Sequence, residues 1–261
     1  MEKTDTIDVV IPVHFEGKNI IPTLAALKSG VKHPIRVLIC YDTDEDSTLA
    51  FLNHSTASGM EIVRVKNTGR GVHGAVITGF RYGNGRAAIM YPADDTANGD
   101  IIDTLIRELQ KGADVVVPSR FMRGGCMVGC PWLKAILVRA AALTLHYVAR
   151  IPVHDPTNGF RLFSRRVISE IEIESTEGFT YSLEYLVKAH RLGLKIVEVP
   201  AKWFERKAGK SRFRIFGWAK AYLTWYWYGY ATTFLRKGPE TVTVRKNLAA
   251  VRPDSSAQPV L

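Results

Sequence analysis

The sequence predicts an α/β fold built on a doubly wound, mostly parallel sheet, and three observations carry that expectation. Apolar runs of strand length recur at residues 7–13, 35–41, 61–65, 86–91 and 113–117. Between them lie segments with apolar residues at helical spacing, such as Ile20, Ile21, Leu24 and Leu27. The strand runs are near-continuously apolar rather than alternating, the pattern of strands buried on both faces of a parallel sheet.

Each element has its own justification. IDVVIPV opens the sheet, and IRVLICY forms a second strand ending in the acidic loop Asp42, Asp44, Glu45 and Asp46. A short helix and a third strand follow. NTGRGVHGAVITGF then opens a helix on Gly69, Gly71, Gly74 and Gly79. Its spacing is wrong for a dinucleotide fingerprint, it follows strand three rather than strand one, and no Walker lysine comes after it. Those glycines read as permission for a helix to pack closely on the sheet. Strand four stops at Pro92, the adjacent carboxylates Asp94 and Asp95 follow, and an amphipathic helix starts near Asp100. Ligands of open α/β sheets bind just past the carboxyl ends of strands. Two acids there are costly without a cation, and a divalent metal carrying a phosphorylated ligand fits. The competing reading is an acidic, solvated turn that caps the next helix.

After strand five the pattern changes. SRFMRGG (119–125) is a basic loop, and 131–150 reads as one long helix with Arg139, His146 and Arg150 along a stripe. That stripe would line an anion groove or face solvent, and for His146 the solvated face is preferred. HDPTNGFRLFSRR sets Asp155 in a turn before a strand-like GFRLF. A helix over 181–192 and a strand over 194–199 come next. Residues 202–220 carry seven basic side chains against Glu205, and they run into FGWAKAYLTWYWYGYATTF. Trp and Tyr favour the membrane interface, so a monotopic anchor on an anionic leaflet is expected there. Burial against the sheet or against a homodimer partner is the alternative. From Arg236 onward the chain is polar, and a disordered tail is expected. The expected organisation is therefore a catalytic domain over 1–212, an aromatic interfacial helix over 213–235 and a tail over 236–261.

Composition bounds the partners. A net charge of +10 points to a phosphate-rich partner. Nucleic acid is not expected, because stacking platforms usually sit on strands and loops rather than around a helix. Cys40, Cys126 and Cys130 form no disulfide framework or zinc spacing, as expected of reduced thiols in a cytosolic protein. The N-terminus has no signal-peptide stretch, and no uninterrupted apolar window is long enough to span a bilayer.

Taken together, these stretches resemble glycosyltransferase family 2, in its dolichyl-phosphate mannose synthase-like branch, from about Ile7 to about Arg212. VVIPVHFEGKNI is similar to the first-strand motif ending in Asn-Glu, with Glu16 kept and Phe15 in place of Asn. ICYDTDEDST resembles the nucleotide-holding Asp-Asp-Gly-Ser-Thr-Asp segment, with Asp42 kept. NTGRGVHGAVITGF looks like the glycine helix, PSRFMRGG the Ser-Arg-(Tyr/Phe) loop, and HDPTNGFRLFSR the signature Asp-x-x-x-Gly-Phe-x-x-Phe-x-Arg. EVPAKWFERKAGKSR is similar to the Glu-Val-Pro…Arg…Gly-x-Ser-Lys element, with Arg212 at the Lys position. The usual Asp-x-Asp metal motif is altered: Pro92 stands at its first acid, Asp94 at its second, and Asp95 is the candidate replacement ligand.

The resemblance implies a GT-A fold and a peripheral, metal-dependent, inverting glycosyltransferase on the cytoplasmic side of a membrane. Its donor would be GDP-mannose or a UDP-hexose, and its acceptor a polyprenyl or dolichyl phosphate. It implies nucleotide-sugar contacts at Pro12, Glu16, Asp42, Gly71 and Asp94, and Mg²⁺ or Mn²⁺ at Asp94 and Asp95. Phosphate and acceptor contacts fall at Arg120, Arg139, Arg206, Lys210, Ser211 and Arg212. Asp155 positions the acceptor if that is a phosphate dianion, and is the first candidate for a base if it is a sugar hydroxyl. A hydroxyl acceptor in polysaccharide or glycolipid synthesis is one alternative. A catalytically silent, nucleotide-sugar-binding or membrane-scaffolding relative is the other.

Overall fold

The structure, a computed structural model, describes residues 5–52, 60–205, 215–245 and 258–259. Five parallel strands form its framework: β1 (Ile7–Pro12), β2 (Ile35–Tyr41), β3 (Glu61–Lys66), β4 (Ala87–Met90) and β5 (Val115–Ser119). Side chains alternate across each strand, so one strand serves two cores. Val9, Ile11, Val37 and Ile39 pack with α1 (Ile20–Gly30) on one face, where α3 (Ile102–Gln110) joins them. Val10, Leu38 and Cys40 pack on the other face with α2 (Gly71–Tyr82). The approach of α2 is close: a Cβ at Gly79 would meet Val10 Cγ1 at 2.5 Å and Cys40 Sγ at 2.8 Å. A glycine is required there for packing, as expected from the sequence.

The second half of the chain winds differently. β6 (Cys126–Val128) leads to α4 (Trp132–Leu143), which continues as a π-helical turn at Thr144–Val148. The expected single helix over 131–150 is thus broken near its end. Thr144 Oγ1 bonds back to Ala140 O and Ala141 O at 2.8 and 3.1 Å, a local pairing that bends helices. Arg150, at φ 57°, then ends the segment in the left-handed region. β7 (Arg161–Ser164) enters the sheet antiparallel between β4 and β5, pairing Met90 with Arg161 and Val115 with Phe163. α5 (Arg165–Glu170), α6 (Thr180–Arg191), β8 (Ile196–Pro200) and β9 (Lys202–Phe204) follow, and β8 runs parallel to β5. Gln258–Pro259 (β10) adds an edge strand, giving the order β10-β3-β2-β1-β4-β7-β5-β8; β6 and β9 pair separately.

The aromatic helix α7 (Ile215–Phe234) packs on α6 and on the π-helical turn. Trp225 is buried, Lys188 Nζ lies 5.0 Å from its ring centroid, and the Arg191 guanidinium stacks 3.3 Å above Tyr228. Tyr226 meets Thr144 Oγ1 at 2.7 Å. One side of α7 is therefore core, while Leu223 and Trp227 on its other side are exposed. The expectation of a disordered tail is corrected for residues 236–245. Val242 is buried, Val244 bridges Ile171, and Arg245 Nε pairs with Glu172 Oε2 at 3.1 Å. A single valine with a core pocket and a charge with a partner hold this stretch despite its polar composition.

Candidate active site

Six segments meet at the carboxyl edge of the parallel strands: those after β1, β2, β3, β4 and β5, and the 153–160 segment that feeds antiparallel β7 from the same edge. After β1, Phe15 adopts φ 54°, an outlier for a bulky side chain. Asp46 holds it there, because Oδ2 accepts Phe15 N at 2.9 Å and Oδ1 accepts Thr48 N at 2.8 Å. Thr48 Oγ1 in turn accepts Glu16 N at 3.0 Å. Asp42 accepts Asn67 Nδ2 at 2.6 Å and sits 3.8 Å from His14 Nδ1. Asn67 Oδ1 also takes Gly69 N, so one amide ties the acidic loop to the turn that opens α2. Gly71 begins α2 at φ 57° with open space where a Cβ would stand. The structure thus brings Pro12, Glu16, Asp42 and Gly71 to one end of the sheet. Asp46 reads in the sequence only as one acid of a loop, and neither buried Thr48 nor half-buried Asn67 stands out, because such braces look like ordinary loop polarity.

At the end of β4 the adjacent acids differ. Asp95 turns inward: Oδ1 accepts Ala97 N and Asn98 N at 2.9 and 3.0 Å, and Oδ2 accepts Asn98 Nδ2 at 2.7 Å. Burial raises its pKa despite those bonds. Asn98, itself buried, bonds Lys202 O and N at 2.7 and 2.9 Å and so fastens the acid loop to β9. Asp94 is exposed at the rim, and Pro92 is half-buried beside it. Among the described residues no three His, Cys, Asp or Glu side chains converge as a metal cage. Hard carboxylate oxygens with few protein ligands nevertheless suit a small divalent cation that completes its shell from phosphate oxygens and water. On this donor chemistry Asp94 fits the group directly, with Asp95 shaping the loop and retaining lone-pair capacity.

On the opposite side of β7, Asp155 is 0% exposed and clasped by Arg120. Its Oδ2 accepts Arg120 N at 3.0 Å and Nε at 2.6 Å, while Oδ1 accepts Nη2 at 2.9 Å and Thr157 Oγ1 at 3.0 Å. Burial opposes ionisation, but the guanidinium and these hydrogen bonds outweigh it and hold the carboxyl below the usual range. The Arg120 guanidinium lies 5.1 Å from the Phe121 ring centroid, and that of Arg139, reaching from α4, lies 5.8 Å from the same ring. Arg120 and Arg139 are therefore neighbours. His154, next to Asp155, is gripped by Glu198 of β8, whose Oε2 accepts His154 N at 2.7 Å while Oε1 meets Nδ1 at 2.5 Å. Neither was singled out from the sequence. Arg206, Lys210, Ser211 and Arg212 lie outside the described residues.

The arrangement combines a nucleotide-sized edge, an exposed acid and a basic lip. A sequence model of Glycosyl transferase family 2 matches residues 8–172. Among curated proteins, the chain is 25% identical to a polyprenol monophosphomannose synthase from Mycolicibacterium smegmatis, covering 78% of this chain and 79% of that one. It is 28% identical to an undecaprenyl-phosphate mannosyltransferase from Micrococcus luteus, covering 78% and 85%. Among solved structures it is similar to glucosyl-3-phosphoglycerate synthase from Mycobacterium tuberculosis. The complex of that protein with UDP superposes with a TM-score of 0.62 at 18% identity, covering 87% of this chain and 81% of that one. A complex with Mn²⁺, UDP and glucosyl-3-phosphoglycerate gives 0.58 at 20% identity, covering 80% and 74%. These likenesses show a GT-A fold.

Proposed function

The chain belongs to glycosyl transferase family 2, and on that premise we propose that it transfers a hexose, with mannose the first candidate, from a nucleoside diphosphate-sugar to a polyprenyl phosphate at a membrane surface. The relatives named for polyprenol and undecaprenyl phosphate support the acceptor. The observation that carries the reading is the state of Asp155. A hydroxyl acceptor needs a base, and Asp155 is sealed from solvent with its pKa lowered and its oxygens filled by Arg120 and Thr157. A phosphate monoester is already a dianion near neutral pH and needs none.

In this reading the base and ribose sit against Pro12, Glu16, Asp42 and Gly71. Asp94 would hold a divalent cation, with Asp95 the second candidate ligand and the acid that keeps the loop in shape. The cation supplies charge neutralisation for the departing diphosphate. An acceptor phosphate oxygen forms the bond to the anomeric carbon from the face opposite the leaving group, whose bond breaks with its electron pair going to the diphosphate, so configuration inverts. Arg120 and Asp155 fix the floor beneath the acceptor. Arg139, Arg206, Lys210, Ser211 and Arg212 are the candidate phosphate contacts around it.

Exposure supports the membrane surface. Among the described residues no helix is long and apolar enough to cross a bilayer. α4 instead presents Trp132, Leu133, Ile136 and Leu137, with Trp132 74% exposed; Tyr147 beyond it is 67% exposed and Trp227 of α7 is 60% exposed. Such a face beside exposed Arg139 and Lys220 suits the cytoplasmic, anionic side of a membrane. A homodimer would cover the same face.

The test is a donor screen with purified protein, Mg²⁺ or Mn²⁺ and a short polyprenyl phosphate, using GDP-mannose, UDP-glucose and UDP-N-acetylglucosamine. Metal-dependent lipid-linked sugar from one donor supports the reading. Donor hydrolysis or transfer only to hydroxyl acceptors sinks it.

A further inference from the structure

The π-helical turn and the start of the 153–160 segment bring two imidazoles together. The rings of His146 and His154 lie 4.1 Å apart, tilted by 31°. His146 Nδ1 meets Ile151 O at 2.9 Å, and His154 Nδ1 meets Glu198 Oε1 at 2.5 Å. A carbonyl and a carboxylate only accept, so both rings carry a hydrogen on Nδ1 and both turn Nε2 away from the clamp. The surroundings of the two differ. His146 faces a carbonyl, whereas Glu198 gives His154 the counter-charge that an imidazolium requires. The His154 side chain is 42% exposed, and the next residue in the chain is the sealed Asp155.

The cationic capacity of Arg120 is already committed. Arg120 spends Nε and Nη2 on Asp155 and Thr157, and its Nη1 points at Met127 Sδ, 3.9 Å away. The strongest cation at the floor of the site is thus consumed in holding that floor. His154, the residue before Asp155, adds a second donor in its imidazolium form, in which Nε2 carries a hydrogen while Nδ1 holds Glu198 and the ring face is backed by His146.

We infer that the His154 imidazolium donates through Nε2 to the acceptor's phosphate, oriented by Glu198 and backed by His146, an assignment that rests on the phosphate-acceptor reading above. Glu198 acts through His154 and is a positioning residue. It also binds the His154 backbone N, so its loss disturbs the segment itself.

His154→Asn separates contact from scaffolding. Asparagine keeps an amide hydrogen where Nδ1 stands, for Glu198, and deletes Nε2. With full-length protein, the donor found in the screen and a short polyprenyl phosphate, the acceptor KM should rise about tenfold to a hundredfold. The donor KM and the thermal midpoint should stay as in the wild type. His154→Gln, which restores an amide near the Nε2 position, should recover part of the acceptor KM. An unchanged acceptor KM in His154→Asn overturns the inference, as does a loss confined to kcat. If His154→Asn fails to fold, seen as lost nucleotide binding, the His154→Gln acceptor KM decides: a value no better than that of His154→Ala overturns it. A wild type inert toward polyprenyl phosphate sinks the acceptor reading itself, whereas an active wild type with an indifferent His154→Asn sinks this inference alone.

Discussion

Replacing Asp94 by Asn changes an exposed carboxylate at the rim, and the expected result is loss of metal-dependent turnover by about a hundredfold or more with an unchanged thermal midpoint. Replacing Asp95 by Ala strips the acceptors from Ala97 N, Asn98 N and Asn98 Nδ2, and should cost about 1–3 kcal/mol in urea unfolding. The acid pair was legible in the sequence, but its division of labour was not, since only the turn geometry says which carboxylate faces inward. Arg120 and Asp155 were legible too. Their mutual burial was not, and Arg120→Ala should cost about 3–5 kcal/mol by leaving a buried charge unpaired. Acid should act on two residues in separate windows. Burial, helped by Arg81, pushes His73 down to about 4. Between the ordinary histidine value of about 6.5 and that value, the unfolded chain takes up a proton the folded chain refuses, so stability falls as pH falls. His73→Gln should flatten unfolding midpoints across that window. The contribution from Asp155 is present above the ordinary carboxylate value and is lost only as pH drops through its lowered one.

Among the elements, α4 and α7 exchange emphasis relative to what their compositions suggest. The aromatic crowding of α7 reads as a membrane signal, but Trp225 and Tyr228 are spent on Lys188 and Arg191. Composition cannot distinguish an aromatic side chain buried against a cation from one awaiting a lipid headgroup. α4, read mainly for its charged stripe, carries the more exposed apolar face. Changing Ile136 and Leu137 together to Glu should abolish sedimentation with anionic vesicles and spare transfer to a water-soluble short-chain acceptor. Lys188 shows the same limit of sequence reading. It is buried, bonding Glu172 O, Glu174 and Glu184 at 2.6, 2.7 and 2.7 Å; the four-residue spacing to Glu184 is legible in the sequence, but the burial and the bonds to Glu172 and Glu174 are not. Lys188→Met should cost about 3–5 kcal/mol and alter the near-ultraviolet signal of Trp225. The strands were legible because burial on both faces writes itself as unbroken apolar runs. The direction of β7 was not, because a strand's hydrophobicity is blind to its polarity.

For the whole molecule, the charge of +10 would make the proposed association with a membrane depend on salt. Binding to anionic vesicles should fall steeply as ionic strength rises and level off at a residue of apolar adsorption through α4. Binding indifferent to salt would mean that the basic surplus serves the donor and acceptor phosphates instead. Both layers of core share the central strands, so the proposed donor edge near β1 and β2 and the proposed acceptor edge near β5 and β8 rest on one sheet.

The antiparallel insertion of β7 makes that sheet a caliper. Met90, two residues before Pro92, is laddered to Arg161, just after the 153–160 segment. The loop carrying Asp94 and the segment carrying Asp155 thus leave the sheet from neighbouring strands, so their anchoring residues are held one strand spacing apart by the backbone ladder. A gauge of this kind measures the reacting centre and ignores everything beyond it. On the proposed reading, a prenyl tail could therefore vary in length without changing the chemical step, provided its phosphate reaches the gap.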